Sequence, residues 1–196
     1  MNRRVQRSGR TFVFLGLSGS GKGTQATRLI AVLGGQARNI STGAAFRRFA
    51  ARKNLIGDYI RDILRRGALI PYWAPIYVWL DDFFTRLTPD EHLVFDGAPR
   101  RVEEARTMDD VMRDVGRSLP VAIFLKLSEA EADRRLLARG RADDHRRAIA
   151  GRFRFFTAHV RPVIEYYRRR DRLVTINGGQ PVPAVWRDIR RALKLR

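Results

Sequence analysis

Gly16-Leu17-Ser18-Gly19-Ser20-Gly21-Lys22-Gly23-Thr24-Gln25 is the stretch on which the reading of this chain turns. A short apolar run, residues 11–15, stands directly before it, and an amphipathic stretch, residues 22–33, follows. The order is therefore strand, glycine-rich turn, helix, the setting of a P-loop. Glycines let the backbone curl around phosphate oxygens and aim its N–H groups at them, and the helix start adds the positive end of its dipole. Lys22 is in register to reach the β and γ phosphates of a nucleoside triphosphate. The stretch departs from G-x-x-x-x-G-K-[ST], because Gly23 fills the place of the usual Ser/Thr and Thr24 comes one residue later.

Outward from this turn, short runs rich in branched and aromatic residues alternate with longer amphipathic ones, the signature of strand and helix crossovers around a parallel sheet. Strands are expected at residues 11–15, 37–41, 92–95, 121–127 and 173–177. Helices are expected at residues 22–33, 44–53, 56–66, 74–85, 102–115, 129–139, 146–170 and 182–193. The expected class is α/β, a three-layer parallel five-stranded sheet flanked by helices, with ligands beyond the carboxyl ends of its strands. No repeat, low-complexity tract or linker interrupts the chain. Residues 1–196 thus read as one domain, with a basic tail at 1–10, a helical insertion at 42–71 and a short arginine-rich turn at 140–144.

A chain of 196 residues needs no covalent staples to fold, and with no cysteine it has neither disulfides, thiolate metal ligands nor thiol catalysis. This suits a reducing cytoplasm. The apolar run after the tail is too short for a signal peptide or a membrane span. Charge is the outlying property: 39 Lys+Arg against 20 Asp+Glu leave a net +19. Only Lys22, Lys53, Lys126 and Lys194 are lysines, so the excess is guanidinium, whose fork matches phosphate oxygens bidentately. Nucleotides and nucleic acids both answer that description.

Gly-Lys-Gly-Thr-Gln at 21–25 resembles the P-loop ending of the adenylate kinase family, and the likeness continues along the chain. Ser41-Thr42-Gly43-Ala44-Ala45-Phe46-Arg47 resembles the segment that opens that family's monophosphate-binding insertion. Phe95-Asp96-Gly97-Ala98-Pro99-Arg100 is similar to its Asp-Gly-Phe-Pro-Arg, and Gly67-Ala68-Leu69-Ile70-Pro71 to its Gly-x-Leu-Val-Pro. Glu131 to Gly140 resembles the helix leading to its lid, and Arg141-Ala142-Asp143-Asp144 its Arg-x-Asp-Asp.

The resemblance implies a short-lid nucleoside monophosphate kinase moving a phosphoryl group from ATP to AMP with Mg²⁺ on the donor phosphates, as a cytoplasmic monomer. It implies that Gly19, Ser20, Gly21, Lys22, Gly23 and Thr24 bind ATP, with Arg135 flat on the donor base and Arg139 at the donor phosphates. Arg47 and Arg100 would clamp the acceptor phosphate, Arg152 would bridge both phosphate chains, and Arg141 would join it. Thr42, Gly43, Leu69, Ile70, Gly97 and Glu104 would surround the acceptor nucleotide. Asp96 would order the metal through water, with Thr24 as a second contact.

The chemistry itself asks for cations and not for a general base, since charge spreads over the migrating phosphoryl oxygens. No role is therefore assigned to His92, His145 or His159. Arg134, Arg146, Arg147 and Arg168 to Arg170 read as solvated helix faces. Tyr72, Trp73 and Trp79 are candidates to stack on a base or to fill the core.

Three positions depart from the family: Ala44 for Asp, Ala98 for an aromatic, and Glu104 for the Gln that reads adenine. A Gln amide both donates and accepts, whereas an ionised Glu only accepts. Glu104 thus keeps a GMP, UMP or CMP kinase open as an alternative. The charge of +19 keeps open a nucleic-acid-binding protein on a kinase-like scaffold, although charge alone supports only nonspecific binding.

Overall fold

The computed structural model describes residues 9–66, 70–141 and 144–195. Most of the basic tail, Gly67, Ala68, Leu69, Ala142 and Asp143 lie outside them.

Five strands form one parallel sheet: β1 (Thr11–Leu15), β2 (Ala37–Ser41), β3 (His92–Asp96), β4 (Val121–Lys126) and β5 (Leu173–Asn177), in the order β2-β3-β1-β4-β5. Every residue of β1 is buried. A strand covered by helices on both faces reads as a continuous apolar run, which is why Thr11-Phe12-Val13-Phe14-Leu15 shows no polar alternation. Phe14 is level with Asp96 and Leu15 with Phe124, so β1, β3 and β4 end at nearly the same height.

Successive side chains of β1 feed opposite layers. Phe12 and Phe14 pack with Leu29 of α1 (Lys22–Leu33) and with Val185 and Ile189. Val13 and Leu15 face the layer of Trp79, Met108, Met112 and Tyr167. These come from α4 (Trp73–Arg86), α5 (Val102–Asp114) and α8 (Arg161–Arg168). Between β2 and α4, α2 (Thr42–Ala50) and α3 (Leu55–Arg65) hold a small core of their own around Phe46, Ile60 and Ala74. The remaining helices are α6 (Glu129–Arg139), α7 (Arg146–Phe155) and α9 (Val182–Leu193).

Two of the expected helices, 44–53 and 146–170, differ in more than a residue at their ends. α2 starts at Thr42 and not at residue 44, because Ser41 ends β2 and serves directly as the helix N-cap, leaving no loop. α2 also stops at Ala50, where Asn54 begins the next helix by accepting the N–H of Gly57 on its side chain at 2.8 Å. The expected single helix over 146–170 is α7 and α8 joined by a π-helical stretch, Phe156–Val160, which widens the turn beside the cleft.

At the opposite end of the sheet the chain is tied down as it enters. Buried Arg117 donates to the carbonyls of Thr88, Pro89, Gly9 and Glu91, and Arg10 donates to the carbonyl of Leu193 at 3.2 Å. A second buried knot joins α5 to the chain beyond α8, where Asp109 accepts from Arg172 and, at 2.7 Å, from the hydroxyl of Tyr166.

Candidate active site

Beyond the carboxyl ends of β1 and β3 lies a cavity of about 1730 Å³. Single-ligand pockets measure roughly 300–1,000 Å³, so this one has room for two nucleotides. Among the described residues its lining includes ten arginines and Lys22 against a single carboxylate, Asp96. Such a concentration of positive charge draws in polyanions and sets the guanidinium groups against one another.

One wall is the P-loop. Gly19 and Gly21 sit at φ 86° and 91°, a region side chains rarely tolerate, and Gly21 is the N-cap of α1. No side chain caps the first helical turn, and Gly21, Lys22, Gly23 and Thr24 all line the cavity. Lys22 Nζ donates to the carbonyls of Gly16 at 2.9 Å and Leu17 at 2.8 Å. Burial lowers its ammonium to about 8, with the Asp96 carboxylate opposing that shift and Arg100 and Arg139 adding to it.

Gly23 and Thr24 line the same wall, and a Cβ on Gly23 would come within 3.1 Å of Asp96 Oδ2. The departure from the usual Ser/Thr at this position thus leaves Asp96 its place at the end of β3. Ser20 does not line the cavity: it is 2 % exposed, and its hydroxyl packs against Gly16.

The facing wall comes from α2 and the β3–α5 turn. Gly43, Arg47, Ile70, Gly97 and Arg100 line it. Arg100 Nε donates to the carbonyl of Gly97 at 2.6 Å, and the Thr42 hydroxyl donates to the same carbonyl at 3.3 Å. Leu69 lies outside the described residues.

Between the walls stand Arg139, Arg141 and Arg152. Arg139 meets the two oxygens of Asp144 at 2.8 and 2.7 Å, and Arg152 shares one of them at 2.9 Å. The Arg141 N–H donates to Asp144 at 3.3 Å. These bonds, the Arg139 pair foremost, hold the Asp144 carboxyl well below the usual carboxylate range despite its burial. Arg135 is steadied at 2.6 Å by Glu131 and at 2.9 Å by the carbonyl of Gly178, which leaves its guanidinium on the cavity wall.

A small recess opens off the acceptor wall, lined by Thr42, Phe46, Ile70, Pro75, Gly97, Arg100, Arg101, Glu104 and Phe155. Glu104 is 2 % exposed and accepts the Arg100 N–H at 2.9 Å. Burial pushes its carboxyl up to about 7, against that hydrogen bond and the charges of Arg100 and Arg101.

Sequence reasoning missed several lining residues. Arg147, expected on a solvated face, lines the cavity, as do Arg65, Arg66, Arg154, His145 and His159. The signal was present in α7: Ala148 and Gly151 are small residues at helical spacing, and they clear space in front of Arg152. Asp144 entered the sequence reading only as part of the Arg-x-Asp-Asp resemblance, whereas it gathers two guanidiniums. Trp79 is a fully buried core residue, and Tyr72 and Trp73 are exposed outside the cavity, so none of the three lines it.

Comparison with known proteins agrees with this geometry. The family model described as adenylate kinase matches residues 14–172. An adenylate kinase of Thermus thermophilus is 33% identical over 192 residues, covering 94% of this chain and 97% of that protein. One of Thermosipho africanus is 30% identical over 216 residues, covering 90% and 96%. Adenylate kinase 1 of a Synechocystis species is 32% identical over 182 residues, covering 93% and 96%.

Proposed function

This chain belongs to the adenylate kinase family, and from that premise we propose that it transfers the γ-phosphoryl group of ATP to AMP, reversibly, giving two ADP. The observation that carries the reading is the single cavity. It sets the P-loop amides and Lys22 opposite Arg47 and Arg100, with Arg139 and Arg152 between them on one buried carboxylate.

The donor phosphates lie along the start of α1, where Gly19, Gly21 and Gly23 admit them to the backbone N–H groups and Lys22 exchanges its two carbonyl bonds for phosphate oxygens. Arg135 meets the donor base. Arg47 and Arg100 hold the acceptor phosphate in line, and the loss of rotational freedom at binding converts an encounter of two anions into an oriented reaction. An oxygen of that phosphate, already ionised, forms the new bond to the γ phosphorus as the bond to the β–γ bridging oxygen breaks, and ADP leaves. Arg139, Arg141 and Arg152 stabilise the charge that spreads over the migrating oxygens.

Asp96 and Thr24 fit a magnesium ion that arrives on the donor phosphates, since Asp96 is the one carboxylate among the described lining residues. Held there, magnesium would offset part of the negative charge of the donor phosphates. Residues 42–71 and 140–144 are the two segments that close over the nucleotides. The form proposed is a monomer. No helix among the described residues is long and apolar enough to cross a membrane, and a cysteine-free chain turning over ATP and AMP suits the cytoplasm.

A coupled assay with ATP against AMP, GMP, UMP and CMP tests the reading. AMP should be phosphorylated, and Lys22→Ala should lower the rate by about 10²-fold or more with an unchanged melting temperature. Failure to phosphorylate any of the four refutes it.

A further inference from the structure

Glu104 is buried in the recess, and although Arg100 and Arg101 line the same recess, no guanidinium donates to its carboxyl among the described residues. Its carboxyl has a single hydrogen bond among the described residues, the main-chain N–H of Arg100 on Oε2. The recess belongs to the reaction cleft, because Phe46, Ile70, Gly97, Arg100 and Phe155 line both. Its free volume of about 20 Å³ admits roughly one water. Part of its outer wall, Thr42, Phe46 and Ile70, lies in the segment proposed above to move. A planar base entering as that wall shifts would meet Phe46, Phe155 and Pro75 on its faces and the carboxyl on its edge.

The edge decides which base is held. Adenine presents a ring nitrogen that accepts beside an amine that donates. A neutral carboxyl group matches it, the O–H donating to the ring nitrogen and the other oxygen accepting from the amine. Guanine presents two adjacent N–H donors, which suit an ionised carboxylate that only accepts. The wrong pairing leaves two donors or two acceptors face to face in a dry recess, where an unmatched polar group is heavily penalised.

We propose that Glu104 sets the acceptor base by its protonation state, taking AMP as the neutral acid and GMP as the carboxylate. The inference rests on the kinase reading above and names the switch within the acceptor site. The surroundings favour the neutral acid near neutral pH, since burial raises this carboxyl to about 7. The charged groups around it are Arg100 and Arg101 from the turn before α5 and Glu103 beside it. From α8 comes Tyr167, whose phenol burial pushes far above its ordinary range and so keeps neutral. α2, α4 and α7 bring Thr42, Phe46, Pro75 and Phe155, none of which carries charge.

The sign follows directly. As pH rises through the carboxyl's own value, the fraction able to hold AMP falls while the fraction able to hold GMP grows. The ratio of kcat/KM for AMP to that for GMP therefore drops about tenfold per pH unit. Taking the ratio cancels the titrations common to both substrates, including those of the phosphates and of Lys22.

The experiment measures both kcat/KM values with saturating ATP from pH 5.5 to 8.5, for the wild-type chain and Glu104→Gln. The wild-type ratio should fall steadily, and the Gln variant should stay flat and prefer AMP, because an amide keeps one donor and one acceptor at every pH. A flat wild-type ratio in an active enzyme overturns the inference alone, as does a Gln variant with the wild-type slope. Inactivity of both proteins towards every monophosphate overturns the kinase reading and this inference with it. Should the Gln variant not fold, the wild-type slope decides.

Discussion

Asp144 touches no ligand in the proposed reaction, yet it fixes where two of the cationic side chains stand. Its oxygens accept from Arg139 and Arg152, and its own N–H donates to the carbonyl of Arg141 at 2.8 Å. Guanidiniums left without this carboxylate would separate, and a displacement of about 1 Å can cost on the order of 100-fold in rate. Asp144→Asn keeps one acceptor and turns an amide toward the cations, so kcat should fall by about 10- to 100-fold with a smaller change in the KM for ATP, measured by steady-state kinetics. An unchanged kcat would deny it this role. The pH sense is also set: a depressed carboxyl keeps its contribution above its ordinary 3.8 and surrenders it only as pH falls further, so mild acid leaves the cluster intact.

At the scale of elements, most of the scaffold was legible. Buried parallel strands carry unbroken apolar runs, and the P-loop, Ser128 and Gly140 mark helix ends by their chemistry; the Ser128 hydroxyl accepts the N–H of Glu131 at 3.3 Å. The seams of α2 and of the long helix were not legible. Thr42-Gly43 reads as a break although the helix runs through it, and nothing in Phe156 to Val160 announces a wider turn. The candidate site was legible where motif and place coincide, as at Lys22, Arg47 and Arg100. It was hidden where only three-dimensional neighbours decide, as at Asp144, Arg147 and the burial of Glu104. α2 and α3 have a core separate from the main layers and rest on the sheet's flank, an arrangement that can pivot. Small-angle scattering should show a smaller radius of gyration once a bisubstrate analogue is bound. Identical curves with and without it would refute closure.

Across the whole molecule, +19 exceeds what the cavity alone contains, so phosphate-bearing polymers should adhere to the outside. That attraction is counterion release and falls steeply with ionic strength. Fluorescence anisotropy with a duplex should show affinity dropping by about 10³-fold between 50 and 200 mM salt, equally for wild type and Lys22→Ala. Duplex binding that resists salt, together with turnover indifferent to Lys22→Ala, would instead favour a nucleic-acid protein. The anchorage of Gly9 and Arg10 by Arg117 and the end of α9 has a practical sequel. Because those contacts sit at the start of β3, a surface coupled through residue 9 or 10 would meet the back of the molecule, at the other end of the sheet from the cleft.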